Sequence, residues 1–377
     1  MSDNLDKTEN EEDWDNSILD EAKATVHSYG FIPHEVSFNQ KSPHVVIVSA
    51  TDRENRNNSL ILKWCKTNPS TQIAILSTLV EEGFDLIPDY IECERDSASL
   101  QASSGRYWTC QPFVGSEFSY DWLDFDCPPQ HCFHAGEALA KLHAIGAQAV
   151  RHHGIQFSQT HKTRTIISGL AEKLRRTFEI LGNFEFNNPP AESTKLKSKK
   201  NKAQNARESA LTLLKQLPAQ RLCAKAETLS SELLKIETSL TQTINHGDFH
   251  PGNILFSTGS ILAVVDWEYI SVGSSMLDLG YALFMFCLQP PIDGIIDQEL
   301  FSSRKTEAFL DGYNYHGLSL KGFQYLEKYS EFAHLLVLDW LCNELCKKSN
   351  AKPQTKYQQY QALKYPELAL ALTYCCQ

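Results

Sequence analysis

His246-Gly247-Asp248-Phe249-His250-Pro251-Gly252-Asn253 runs into the apolar triplet Ile254-Leu255-Phe256, a turn at Gly259, and Ile261-Leu262-Ala263-Val264-Val265, which ends in Asp266-Trp267-Glu268. Two short β-branched and apolar runs around a glycine turn predict a hairpin. The stretch therefore reads as an aspartate, four residues, an asparagine, a hairpin, and a second aspartate at a strand end. Phosphoryl transfer uses such parts. One carboxylate orients the attacking hydroxyl and takes its proton, while an amide oxygen and another carboxylate hold Mg²⁺ against the phosphates, since catalysis is mainly positioning and charge neutralisation. Asp248 is the candidate base, and Asn253 and Asp266 the candidate metal ligands.

Outward from this stretch the chain changes character. A helical stretch near Ile18 to Tyr29 precedes Glu35-Val36-Ser37-Phe38, His44-Val45-Val46-Ile47-Val48 and Ser59-Leu60-Ile61-Leu62-Lys63-Trp64, three runs of strand length. Pro69-Ser70 opens a helical pattern closed by Gly83, and Ile87 to Cys93 and Tyr107 to Phe113 read as two further strands. The expectation is an α+β chain: an acidic tail over residues 1–17, a small antiparallel-sheet lobe over 18–114, and a mostly helical lobe over 115–377. Its helices are expected over Phe133 to His143, Arg164 to Leu181, Leu211 to Gln216, Lys225 to Leu240, Tyr281 to Leu288 and Leu320 to Cys346. Between residues 187 and 207 apolar side chains nearly vanish and lysines dominate, which predicts a mobile, solvated surface insertion.

Charge and composition exclude several functions. The net charge is -11, but residues 1 to 21 carry nine acids against Lys7, leaving a nearly neutral body. Nothing basic enough to bind nucleic acid is expected of such a body. The greasiest runs, Leu335 to Cys342 and Tyr281 to Leu288, are about half the roughly 20 residues a membrane span needs. With no basic segment followed by an apolar one at the start, the chain is expected in the cytoplasm. Eleven cysteines without framework spacing fit reduced thiols. Cys127, His131 and Cys132, or Cys342 and Cys346, could ligate a metal, but buried thiols are the commoner reading. No Gly-rich loop of Walker or dinucleotide-binding type occurs.

HGDFHPGN followed by VVDWE resembles the aminoglycoside phosphotransferase and choline kinase family, small-molecule kinases with a protein-kinase-like bilobal fold. Upstream elements match in order: Lys63 in Leu-Ile-Leu-Lys-Trp, the Cys110-to-Gly115 strand end, and Glu137-Ala138-Leu139-Ala140-Lys141-Leu142-His143. The resemblance implies ATP and Mg²⁺ as cofactors and a small hydroxylated acceptor. Lys63 would pair with nucleotide phosphates, and Gln111 to Phe113 would form the hinge that receives adenine. His246 would be architectural, and Asp278, which with Gly273 matches the family's pattern, would hold the catalytic loop. His143 reads as a satisfied packing residue.

This chain departs from the pattern twice. The helix position that usually holds glutamate opposite the strand lysine carries Gln72, which hydrogen-bonds without the Coulomb attraction of an ion pair. Glu81 and Glu82 lie too far along to substitute. The turn Asn39-Gln40-Lys41-Ser42-Pro43 has no glycine, which makes close backbone approach to phosphate harder. These features motivate one alternative, a nucleotide-binding pseudokinase or regulatory module; a second, a kinase acting on a protein, is one the family fold permits. For the acceptor, Glu268, Tyr269, Asp339 and Trp340 are candidates: Asp339 lies in an apolar helix and needs a partner, while Tyr269, Trp340 and Tyr313 could cage a quaternary ammonium. Oligomeric state is not legible.

Overall fold

Alternation decides the first sheet. Along β3 (Asn57–Cys65) every second residue, Leu60, Leu62 and Trp64, is buried, while Ile61 and Lys63 turn to the other face. β2 (Ser42–Thr51) does the same with Val46, Val48 and Ala50, and pairs antiparallel to β3 with Val46 opposite Leu62. The computed structural model describes residues 11–39, 42–94, 97–122, 126–154, 162–183, 207–289, 301–315, 322–346, 368–369 and 371–372. With β1 (Ile32–Asn39), β4 (Ser99–Gln101) and β5 (Tyr107–Pro112) the strands form one sheet in the order β1-β2-β3-β5-β4, antiparallel throughout.

Helix α1 (Glu11–Ser28) covers one face of this sheet. Its Ile18, Ala22, Val26 and Tyr29 just beyond it recur at helical spacing and meet Val46, Val48, Leu60, Leu62, Trp108 and Cys110 in one core. Each aliphatic side chain buried there contributes roughly 1.5–3 kcal/mol. The helix begins at Glu11, not Ile18 as expected, so the acidic stretch is partly helical; carboxylates favour a helix N-terminus through its dipole. Glu21, within the expected sheet lobe, accepts from Trp108 Nε1 at 2.6 Å and pairs with Arg106 at 3.2 Å. The run Ile87 to Cys93 is not a strand. Pro88 cannot donate to a ladder, and the strand forms instead at Ser99–Gln101.

The chain divides into two compact units, Met1–Ser77 with Ile87–Gly115, and Thr78–Leu86 with Ser116–Gln377. Helix α2 (Ser70–Glu81) contributes its first turns to the sheet unit and its last to the helical one. The second unit packs α3 (Pro129–His153), α4 (Thr163–Gly182), α5 (Ala219–Glu237), α6 (Ser275–Cys287), α7 (Ser303–Asn314) and α8 (Leu326–Cys346). α3 crosses α7 at two glycines: a Cβ on Gly136 would lie 2.1 Å from the Phe309 carbonyl oxygen, and one on Gly312 2.0 Å from that of Phe133. Only glycine permits that approach. α3 is longer than its apolar core suggests, so His143 sits in mid-helix. Two small antiparallel pairs complete the unit, β6 (Gln242–Asn245) with β9 (Ser271–Ser274), and the expected hairpin of β7 (Ile254–Ser257) and β8 (Ser260–Val264). An antiparallel sheet followed by a mostly helical unit is the protein-kinase-like arrangement. Among the described residues no helix is long and apolar enough to cross a membrane. The lysine-rich insertion lies outside the described residues up to Arg207, which binds the Leu345 carbonyl through Nε at 2.9 Å.

Candidate active site

The loop between β6 and β7 is built on a buried carboxylate. Asp278, in the first turn of α6 and 2% exposed, accepts from the His246 N–H at 2.8 Å through Oδ2 and from the Gly247 N–H at 2.9 Å through Oδ1. His143 Nε2 donates to the same Oδ2 at 3.2 Å, and its Nδ1 accepts from Tyr313 Oη at 2.7 Å. Burial would raise the Asp278 pKa, but His143, His246 and the Gly247 N–H together bring it below the ordinary carboxylate range. Gly247 has φ +84°, and a Cβ there would lie 2.2 Å from the Tyr269 carbonyl oxygen, so the turn admits no other residue without displacement.

His246 is wholly buried and serves the backbone. Its Nε2–H donates to the Val265 carbonyl at 3.0 Å and its Nδ1 accepts the Asp248 N–H at 3.2 Å, which fixes the neutral tautomer. Burial pushes its pKa down accordingly. This ties the loop to the end of β8, immediately before Asp266. His250 turns its Nδ1 to the Gly252 N–H at 3.1 Å and so presents Nε2–H to Asp248 Oδ2 at 3.4 Å.

Asp248 is the centre of these contacts. Its side chain is 26% exposed, Oδ1 accepts from Tyr281 Oη at 2.6 Å, and Oδ2 lies 3.3 Å from Asn253 Nδ2. Desolvation acts to raise the Asp248 pKa, and the opposing pull of His250, Tyr281 and His246 brings it to about 2. Asn253 also donates Nδ2 to the Asp248 carbonyl at 2.9 Å. With the amide nitrogen committed inward, Oδ1 is the acceptor end of that side chain. Asp266 is exposed and held at φ +67°, ψ +58°, a left-handed conformation costing an ordinary residue about 1–2 kcal/mol. An amide oxygen and a carboxylate are hard oxygen donors, the kind Mg²⁺ takes, so these residues fit that ion.

In the sheet unit, Lys63 lies part-buried in mid-β3 opposite Thr109, and Gln72 part-buried on the first turn of α2. Gln111 spends its side-chain amide on the Pro88 carbonyl at 2.8 Å. Phe113 is 44% exposed, and its N–H donates to the Ser59 carbonyl at 2.8 Å, so that N–H is already engaged within the sheet. Glu82 faces His152 and His153 at 3.1 and 2.8 Å.

Of the acceptor candidates, Glu268 is exposed, Tyr269 is 62% exposed, and Trp340, 39% exposed, meets Trp122 edge-on at 4.7 Å. Asp339 finds its partners within the chain, accepting from Thr177 Oγ1 at 2.7 Å and approached by Asn343 Nδ2 at 3.3 Å. Burial nonetheless raises its pKa. Tyr313 is excluded as a cage residue: it is 1% exposed and committed to His143. Gly273 is required by packing, since a Cβ would lie 2.1 Å from Thr163 Oγ1. His131 stacks on Phe256 and shares a 2.7 Å hydrogen bond with Tyr120, and no cluster of three metal-ligating side chains occurs among the described residues. Sequence reasoning missed Tyr281 and His250 as partners of Asp248. Tyr281 follows Asp278 by three residues, a spacing that places both on one helix face.

A loop that fixes one carboxylate beside an asparagine amide, followed by a hairpin ending in a second carboxylate on a protein-kinase-like fold, is the arrangement expected of a phosphotransferase. The model of the phosphotransferase enzyme family matches residues 73–313, and the chain belongs to that family, the aminoglycoside phosphotransferase group its motifs resemble. No curated protein matches in sequence. Solved structures with the same fold include a spectinomycin phosphotransferase with ADP and spectinomycin (15% identity, 95% of this chain and 98% of that one, TM-score 0.58). An amicoumacin kinase in complex with AMP-PNP, Ca²⁺ and Ami (12%, 96% and 93%, 0.56) is another. A third is a Ralstonia eutropha protein described as a candidate aminoglycoside phosphotransferase (14%, 96% and 99%, 0.54).

Proposed function

We propose that this phosphotransferase uses ATP and Mg²⁺ to phosphorylate a hydroxyl of a small molecule of amino alcohol, sugar or aminoglycoside type. The observation that carries the reading is the Asp248 carboxylate, ionised and held by Tyr281, beside Asn253 in a loop whose backbone is clamped by Asp278. Neighbours of the same fold that hold ADP, or AMP-PNP with Ca²⁺, support a nucleotide and a divalent cation. In the transfer, the acceptor oxygen forms a bond to the γ-phosphorus as the bond from that phosphorus to the bridging oxygen breaks and nucleoside diphosphate leaves. The hydroxyl proton passes to Asp248. A carboxylate this weakly basic serves mainly to orient the hydroxyl, with proton transfer late in a loose transition state. Mg²⁺ held by Asn253 and Asp266 would neutralise phosphate charge. Lys63 is assigned to the nucleotide phosphates, and Glu268, Tyr269 and Trp340 to the acceptor; Asp339, with its internal partners, supports the helix packing around Trp340.

Gln72 in place of a glutamate and the glycine-free turn at residues 39–43 are the features favouring a nucleotide-binding regulatory module. A screen of amino alcohols, sugars and aminoglycosides with labelled ATP, run with and without Mg²⁺, separates the readings. Label transferred to one acceptor class only with Mg²⁺ is expected. ATP binding without transfer to any acceptor or to water would establish the regulatory module, and transfer only to added protein a protein kinase.

A further inference from the structure

α6 reaches the catalytic loop twice. Asp278 takes the backbone of His246 and Gly247, and one turn later Tyr281 donates its phenol to Asp248 Oδ1 at 2.6 Å. The two contacts do different things. The first sets where the Asp248 backbone lies, and the second sets how its carboxylate is turned. A carboxyl group rotates about a broad, roughly two-fold χ2 well, so backbone placement alone leaves its two oxygens interchangeable. Among the described residues no other group comes as close to either oxygen as the phenol does to Oδ1. Oδ2 has only Asn253 Nδ2 at 3.3 Å and His250 Nε2 at 3.4 Å.

We propose that Tyr281 is a positioning residue that pins Asp248 Oδ1 and thereby presents Oδ2 to the acceptor hydroxyl. This rests on the phosphotransfer reading above and adds to it a residue outside the HGDFHPGN and VVDWE motifs. Both ends of the contact are anchored on the same helix, Asp248 through Asp278 and the phenol through its own backbone. A shift of α6 therefore carries loop and phenol together and preserves the alignment. Positioning of this kind acts on turnover: a misplacement of about 1 Å at a reacting group can cost around 100-fold.

Tyr281→Phe removes one hydroxyl and keeps the ring. The probe is Mg²⁺ and ATP with water as acceptor, read as phosphate release. The expected result is a kcat lowered about 10- to 100-fold with the KM for ATP and the melting temperature unchanged. Tyr281→Phe in an Asp248→Asn background should then cost nothing further, because the phenol acts only through that carboxylate. An unchanged kcat would overturn the proposal, as would a loss that persists undiminished in the Asp248→Asn background or one explained by a lowered melting temperature. If Asp248→Asn abolishes release and Tyr281→Phe does not, only the role of Tyr281 falls. Where the screen finds an acceptor, the same four proteins are read with it; if the wild-type protein binds ATP and transfers phosphate neither to any acceptor nor to water, the phosphotransfer reading falls and this one with it.

Discussion

The two units hold their interiors by different means. Around the catalytic loop, buried polar groups do the fixing: Asp278 accepts three hydrogen bonds, His246 bridges two backbone groups, and Glu237 accepts from Ser274 N–H and Oγ and from the Tyr329 hydroxyl. The sheet unit has an apolar core under α1, with single polar contacts beside it, such as Tyr29 Oη to the Trp108 carbonyl at 2.8 Å and Trp108 Nε1 to Glu21 at 2.6 Å. A polar network defines one geometry and loses heavily when one member is removed, whereas an apolar core tolerates exchange of shape-matched residues. The departures from the family pattern, Gln72 and the glycine-free turn, both fall in the sheet unit. The HGDFHPGN loop, to which the chemistry is assigned, matches the pattern it resembles.

The largest expected effect tests whether the network serves catalysis or only folding. Asp248→Asn keeps size and its amide oxygen can still accept from Tyr281, yet it cannot take a proton, so turnover should fall by about 10²- to 10⁴-fold. ATP binding and the melting temperature should hardly move. A matching loss of folding would make Asp248 a structural member of the network. Asp278→Ala should do the reverse in kind, stranding two backbone N–H groups and His143, and lower stability by about 3 kcal/mol or more, the scale of a broken buried pair. Urea unfolding measures it. A loss below about 1 kcal/mol, within the range of ordinary substitutions, would show that water replaces the carboxylate and that the clamp is not what fixes the loop.

How far each unit was legible follows from the same contrast. The hairpin, Asp248, Asn253, Asp266 and Asp278 could be read because their spacing is local or matches a family pattern. Tyr281 and His143 could not, because their partners lie 33 and 170 residues away, and a tyrosine or histidine in an apolar helix carries no mark of what it faces. In the sheet, β2 and β3 announced themselves by runs of β-branched and apolar residues of strand length. The three-residue β4 was too short to show a period, and a proline-bearing apolar run nearby imitated a strand. The start of α1 hid in acids whose benefit is to the helix dipole rather than to a core.

Acid should strike the helical unit before the sheet. In α8, part-buried His334 stacks on Phe301 at 5.7 Å and meets Phe284 at 4.7 Å, and burial brings its pKa down to about 4. The unfolded chain therefore binds a proton below about pH 6.5 that the folded one refuses until about pH 4, so stability falls as pH drops through that window. The full difference is about 3 kcal/mol. Asp278, with its depressed pKa, adds a second loss as pH falls below the unfolded carboxylate value. Urea midpoints at pH 7 and pH 4.5 should differ, and His334→Phe should remove most of the difference above pH 4.5. If it removes none, the acid-sensitive groups lie elsewhere and the contrast between the units loses this support.

The smallest effect sharpens the comparison on the sheet side. Gln72, on the first turn of α2, is expected to face Lys63 of β3, and an amide there hydrogen-bonds an ammonium without attracting its charge. Gln72→Glu supplies that charge. ATP should bind more tightly or equally well, as the lysine is held toward the phosphates, and Lys63→Ala should become more damaging in the Gln72→Glu background than in the natural one. Calorimetric ATP affinities for the four proteins of this cycle give the coupling, expected at about 0.5 kcal/mol or more for side chains in contact. Because both residues are part-buried, the pair is less screened than a surface pair, whose worth is often close to zero. Strict additivity would show that Gln72 does not meet Lys63. The sheet unit would then lack that pairing, and contacts other than Gln72 would set the position of Lys63.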